Sequence, residues 1–237
     1  MVKLLAIAAC LTAGLAVAGG RGDARAVACP ANLANQLADT GSAEQLVTVV
    51  AATRRSTAGS LRLWRKSSDC WVAVDGPWTA HLGARGISEN KREGDKTTPA
   101  GAFGIQPVML GVGPNPGVRY RYRRIVCGDW WVEDVRSPFY NRFHHVRCGA
   151  KPPFRITSED MSRSPISYRY LAVIDYNTHP IMPGRGSGIF LHVSASGRPT
   201  LGCVSLSRPR LVTVLRWFDP AASPLIVIGT AATIRDY

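Results

Sequence analysis

Acidic residues are scarce in this chain: 16 aspartates and glutamates stand against 29 lysines and arginines in 237 residues, a formal net charge of +13. Long apolar runs are scarce too. After Ala18 no stretch approaches the ~20 residues a membrane-spanning helix needs, so no transmembrane segment is expected downstream of the start. Internal repeats and low-complexity linkers are missing, which leaves one sizeable domain. Histidine is rare, and His144, His145 and His179 match no metal-ligand spacing. They read as surface or loop-packing residues, and no metal is expected. An apolar fraction of 46% is ordinary for a globular chain and excludes disorder.

What is present begins with an export pattern. Lys3 gives a positive start, Leu4 to Ala18 is an apolar run too short to span a bilayer, and Ala24-Arg25-Ala26 offers a small-residue cleavage site. Residues 1–26 therefore read as a signal peptide, 27–44 as an N-terminal arm and 45–237 as the main domain. Ile7-Ala8-Ala9-Cys10 resembles a lipoprotein box, but it would leave only Leu4 to Ala9 as its apolar run. Export changes the meaning of the charge. In the periplasm, cell wall or medium the available polyanions are wall polymers and peptide carboxylates, and nucleic acid is not expected.

Five cysteines follow the leader: Cys29, Cys70, Cys127, Cys148 and Cys203. An oxidising compartment favours pairing, and an odd number leaves one thiol over. Cys29 and Cys70 flank the first strands, while Cys127 and Cys148 bracket an aromatic and basic stretch. Either pair would close a loop worth ~3 kcal/mol, although the sequence leaves the pairing itself open. Cys203 differs from the other four, because it follows a glycine and lies downstream of His192.

From Gln45 the pattern is β-rich. Strand-length runs cover 45–52, 60–66, 70–74, 78–82 and 102–106, with Asp75-Gly76-Pro77 read as a turn and Glu89 to Asp95 as a charged loop. Further strands are expected over 119–126, 130–135, 168–176, 188–193 and 224–228. Ser207 and Pro209 open one helix, with Leu211, Val214, Leu215 and Phe218 at helical spacing and Pro220 stopping it. The fold class is mainly β, a sandwich or barrel with one helix after Cys203. Arg119, Arg121, Arg123 and Arg124 suggest a charged edge strand, with wall binding as the sharper alternative. Trp130, Trp131, Tyr140 and Phe143 would form either a lid or a small satellite core.

Chemistry concentrates in residues 189–206. A strand delivers His192, small polar residues follow, and Gly202-Cys203 opens the next element. Cysteine attacks as the thiolate, with a free pKa of ~8.5, so an imidazole that takes its proton is the usual device. The amides at Gly202 and Cys203 are candidates to face a developing oxyanion. Thr200-Leu201-Gly202-Cys203-Val204 behind His192 resembles the catalytic signature of YkuD-type L,D-transpeptidases. Lys96-Thr97-Thr98-Pro99-Ala100-Gly101-Ala102-Phe103 is similar to an upstream motif of the same family, with one extra threonine.

That resemblance implies a cofactor-free cysteine acyltransferase of the cell wall, with peptidoglycan peptide stems as partners. Cys203 would attack the carbonyl before the terminal D-alanine of a tetrapeptide stem. The acyl group would then pass to a diamino-acid amine, and carbapenems would acylate the same thiol. His192 would be the base, with its tautomer held by a backbone carbonyl near Ser194, and Thr200 would brace the loop. Two positions depart from the family pattern: Val193 replaces the glycine after the histidine, and Ser205 replaces an arginine that helps hold the anionic substrate. Arg185 and Arg198 are the candidates to supply that charge. Alternatives are an L,D-carboxypeptidase of the same fold and a non-catalytic wall-binding protein.

Overall fold

The computed structural model describes residues 28–237 apart from residue 156, so the leader, its cleavage site and Cys10 lie outside the described residues. The strands are β1 Gln45–Ala51, β2 Ala58–Ser67, β3 Cys70–His81, β4 Ile87–Ser88, β5 Thr98–Pro99, β6 Gly101–Gly104, β7 Val108–Gly111, β8 Arg121–Arg124, β9 Asp129–Trp131, β10 Phe143–His145, β11 Glu159–Asp160, β12 Leu171–Val173, β13 Phe190–Val193, β14 Val204–Leu206 and β15 Leu225–Thr230; the helix α1 is Arg208–Trp217. Ten strands form one mixed sheet in the order β6-β15-β1-β2-β3-β14-β13-β12-β7-β8, with β10-β9-β11 as a separate three-stranded sheet. The large sheet curls back on itself. Beyond β6, Ile105 bridges Ile174 just after β12, and the Asp175 amide donates to the Gly104 carbonyl at 2.9 Å. The mainly β, barrel-like reading holds.

Local chemistry explains the elements. β1 and β15 pair in parallel and are buried almost throughout, which is why both read as nearly continuous aliphatic runs. β2 turns into β3 through Ser68 and Asp69, both at positive φ, the two-residue turn that matches strand twist. Asp75-Gly76-Pro77 corrects the sequence reading: it is no turn between strands but part of β3, where the pairing with β2 shifts register. Gly76 sits at φ +91°, and a β-carbon there would come 2.7 Å from the Leu61 carbonyl oxygen. A bulge tolerates the missing proline N–H that a regular ladder would not. The expected strand over 168–176 is also shorter, because Ser167–Arg169 forms a 3-10 turn before β12.

Alternation along β13 sets up the site. Leu191 and Val193 face the main core, where Leu211, Val214 and Leu215 of α1 cover them together with Val204 and Leu206. Phe190 and His192 take the other face. Phe190 belongs to a second core with Trp131, Tyr168 and Leu171, against which Cys203 packs. Ser207 precedes α1 as expected but makes no side-chain cap bond.

The pairing that the sequence left open is Cys29 to Cys70 and Cys127 to Cys148, and Cys203 is free. The first bond ties the arm to β3, where Asn35 accepts from the Trp71 amide and Asn32 donates to its carbonyl. The second staples the aromatic segment, which packs as a satellite core: Trp131 is buried edge-on against Phe190, with ring centroids 5.0 Å apart. β8 is the edge strand, yet its charges are used. Arg123 and His145 both bind the fully buried Asp129. His144 stacks on Phe139, a packing role.

Candidate active site

β13 and β14 lie side by side in parallel, with His192 level with Ser205, so residues 194–203 cross over from the end of one strand to the start of the other. That loop is clamped to the upstream motif. Thr200 pairs with Gly83, its amide donating to Leu82 and its carbonyl accepting from Ala84. The Cys203 carbonyl accepts from two hydroxyls, Thr200 at 2.7 Å and the fully buried Thr98 at 3.3 Å. Thr98, the threonine directly before Pro99 in the upstream motif, thus sits beneath the cysteine and fixes its peptide plane. The Gly202 amide donates to Thr200 Oγ1 at 3.1 Å, which removes it from the pair expected to face an oxyanion.

Cys203, His192, Gly202, Thr200, Ser205, Ser194 and Arg198 all line one cleft of about 550 Å³. Arg185 does not. It is exposed outside the cleft, and its carbonyl accepts from the Tyr176 hydroxyl. Ser205 is 1% exposed beside His192, and Ser194 spends its hydroxyl on the Gly197 amide.

Both reactive groups rest uncharged. The Cys203 thiol donates to the Gly188 carbonyl at 3.2 Å and accepts from the Phe190 amide at 3.4 Å. Burial pushes its pKa up to about 12; Glu159 and Glu133 add to the rise, while the Phe190 amide and Lys91 oppose it. Burial also pulls His192 down to about 4, against backbone carbonyls of Val193 and Ser167 that favour the charged ring. His192 Nδ1 lies 2.9 Å from its neighbour's carbonyl, that of Val193, so Nδ1 carries the proton and Nε2 the lone pair. Among the described residues no hydrogen bond joins His192 to Cys203; they share a face and a cleft.

Four further residues of the cleft escaped the sequence reading: Lys91, Glu133, Glu159 and Tyr168. Tyr168 donates to Glu159 at 2.6 Å, and its ring meets His192 edge-on at 5.7 Å. Glu133 follows Trp131 by two residues, a spacing that in an extended chain puts it on the buried tryptophan's face and so signals an inward carboxylate. Asn141 anchors this wall, accepting from both Trp131 Nε1 and the Gly188 amide.

Burial pushes the Glu133 carboxyl up to about 8, helped by Glu159 and Glu93 and opposed by Lys91. Between about pH 4.5 and 8 the folded chain therefore holds a proton that the unfolded chain has released. Stability falls as pH rises through that window. Glu133→Gln is expected to stabilise the protein by about 2 kcal/mol at pH 8 and by almost nothing at pH 4.5. Urea unfolding at the two pH values checks this, and an equal effect at both contradicts it.

The family model for the YkuD L,D-transpeptidase catalytic domain matches residues 56–228. No curated protein and no solved structure gives a significant match.

Proposed function

Because the chain belongs to the YkuD family of L,D-transpeptidase catalytic domains, we propose that it is an exported enzyme that cross-links peptidoglycan stems through an acyl group carried on Cys203. The observation that supports this reading most directly is the single free thiol, in a cleft shared with a neutral histidine, when the other four described cysteines are bridged. Disulfides suit an oxidising compartment. No described helix is long and apolar enough to cross a membrane.

The steps follow from the residues. The thiol turns from the Gly188 carbonyl to His192, which takes its proton at Nε2 as sulfur attacks the carbonyl before the terminal D-alanine. The Cys203 amide faces the oxyanion, since that of Gly202 is committed to Thr200. As the C–N bond breaks, His192 returns its proton to the leaving D-alanine amine, and a thioester remains. An acceptor amine then attacks the thioester and gives its proton to His192, which passes it to the departing sulfur as the C–S bond breaks and the amide forms. The cleft carries Glu93, Glu133 and Glu159 as well as Lys91, Lys96 and Arg198. That mixture suits a stem bearing both ammonium and carboxylate groups.

Incubation with a disaccharide-tetrapeptide, with and without added diamino-acid stem, tests the assignment. Cross-linked dimer that forms in proportion to D-alanine release is the expected product. D-Alanine release with tripeptide alone, even with excess acceptor, would make the protein a carboxypeptidase.

A further inference from the structure

The arginine missing at position 205 leaves open which cation serves the site, and the two surface arginines are poorly placed for it. Arg185 lies outside the cleft and Arg198 is exposed at its edge. Lys91 is different. It is 3% exposed, although it belongs to a stretch that reads as a solvated loop. Its stem passes Gly186, where a β-carbon would come 2.8 Å from Lys91 Cε. Its ammonium ends at Gly202, where a β-carbon would come 3.1 Å from Nζ. Both glycines have positive φ, so the same two positions that need glycine for their backbone also give the lysine its path.

We infer that Lys91 is the working cation of this site, held against the Gly202-Cys203 turn to stabilise the negative charge that develops on Cys203 during attack. The inference rests on Cys203 being the nucleophile. A buried ammonium needs a partner, and Asp95 supplies it at 3.0 Å. Asp95 is itself braced: it accepts from the Arg92 amide at 2.7 Å, the Thr97 amide at 2.9 Å and the Thr97 hydroxyl at 2.9 Å. Burial alone would raise its carboxyl, but those bonds and Lys91 hold it below the usual carboxylate range. The lysine is therefore paired and fixed in place.

The balance of charge around Cys203 gives it work to do. Glu133 of the disulfide-stapled segment and Glu159 of β11 oppose a thiolate, Glu93 lines the same cleft, Tyr168 and His192 are neutral, and Lys96 and Arg198 lie at more open positions. Lys91 is the cationic side chain that counters the carboxylates at Cys203. As it reaches Cys203 from behind Gly202, Lys91 is a positioning and electrostatic residue, and its loss acts through the thiol's reactivity.

The pH profile of Cys203 alkylation by iodoacetamide, in the disulfide-intact protein without substrate, tests the inference. Lys91→Met is expected to slow alkylation about tenfold at pH 8 and to move the profile to higher pH, with Lys91→Arg restoring part of the rate. Asp95→Asn has the opposite expected sign, severalfold faster alkylation, because it removes the countercharge and leaves the ammonium. A folded K91M with an unchanged profile overturns the inference. So does a D95N variant that is slowed, because then the pair does no more than anchor its loop; this arm decides the matter if K91M fails to fold. A wild-type thiol that neither alkylates nor forms an acyl-enzyme would instead remove the premise that Cys203 is the nucleophile.

Discussion

Cys203→Ala is expected to lower D-alanine release from a tetrapeptide stem by at least about a thousandfold, with no comparable loss of fold. The side chain packs at the margin of a core built by Leu110, Trp131, Met161, Tyr168 and Phe190, so removing one sulfur leaves a small void. The bonds it forfeits are those to Gly188 and Phe190, each a weak sulfur contact. Stability should fall by about 1 kcal/mol, readable by thermal unfolding beside the activity assay. Retained D-alanine release in the alanine variant would mean that another group attacks. A variant that unfolds would be explained by packing alone, and the peptide-mapped acyl-enzyme would then have to decide.

His192→Gln carries the second large effect, a loss of about a hundred- to ten-thousandfold in kcat/KM. The pH dependence distinguishes a base from a packing residue. Burial holds the ring neutral down to about pH 4, so the wild-type acid limb should lie between about pH 4 and 5, well below that of an ordinary histidine. The same displacement has a cost in stability. Below about pH 6.5 the unfolded chain binds a proton that the folded chain refuses, so stability is full above that value and falls by about 3 kcal/mol as pH drops toward 4. His192→Gln should flatten that fall while lowering turnover by the factor given above. If the acid limb stayed at pH 6 to 7 and persisted in the glutamine variant, His192 would not be the base.

The parts of this site that are legible in the sequence are those that lie close together along the chain. His192 and Cys203 are joined by one short crossover between adjacent parallel strands, so strand period, turn chemistry and the local motif bring them forward together as candidates. Cysteine parity singles out Cys203 for the same local reason, whereas the pairing of the other four stays open in the sequence and only the fold joins Cys29 to Cys70 and Cys127 to Cys148. Lys91 and Glu159 are another matter. Lys91 sits in a stretch that reads as a charged loop and Glu159 in one with no pattern of its own, and only the approach of distant segments buries them. Arg185 is exposed and does not line the cleft, because proximity in sequence to His192 does not fix where a loop residue ends up. Asp75-Gly76-Pro77 misled for a related reason: turn residues also build bulges, and only the β2 partner decides which.

The arrangement also explains how a buried, high-pKa thiol is compatible with acyl transfer. A resting thiolate would need charge compensation at all times, whereas a neutral thiol beside a neutral imidazole needs it only during attack. The acidic side chains that oppose ionisation also keep the sulfur in its less readily oxidised thiol form. A buried site of this kind forgoes stability, as the expected gain in Glu133→Gln states in measurable form.

Intact mass after brief incubation with a tetrapeptide stem, followed by peptide mapping, tests the central claim most directly. One covalent acyl group lacking D-alanine, on the peptide bearing Cys203 and lost on adding a diamino-acid stem, is the predicted result. An unmodified Cys203 while D-alanine is released, or a Cys203 that stays inert to stem and carbapenem alike, would contradict it.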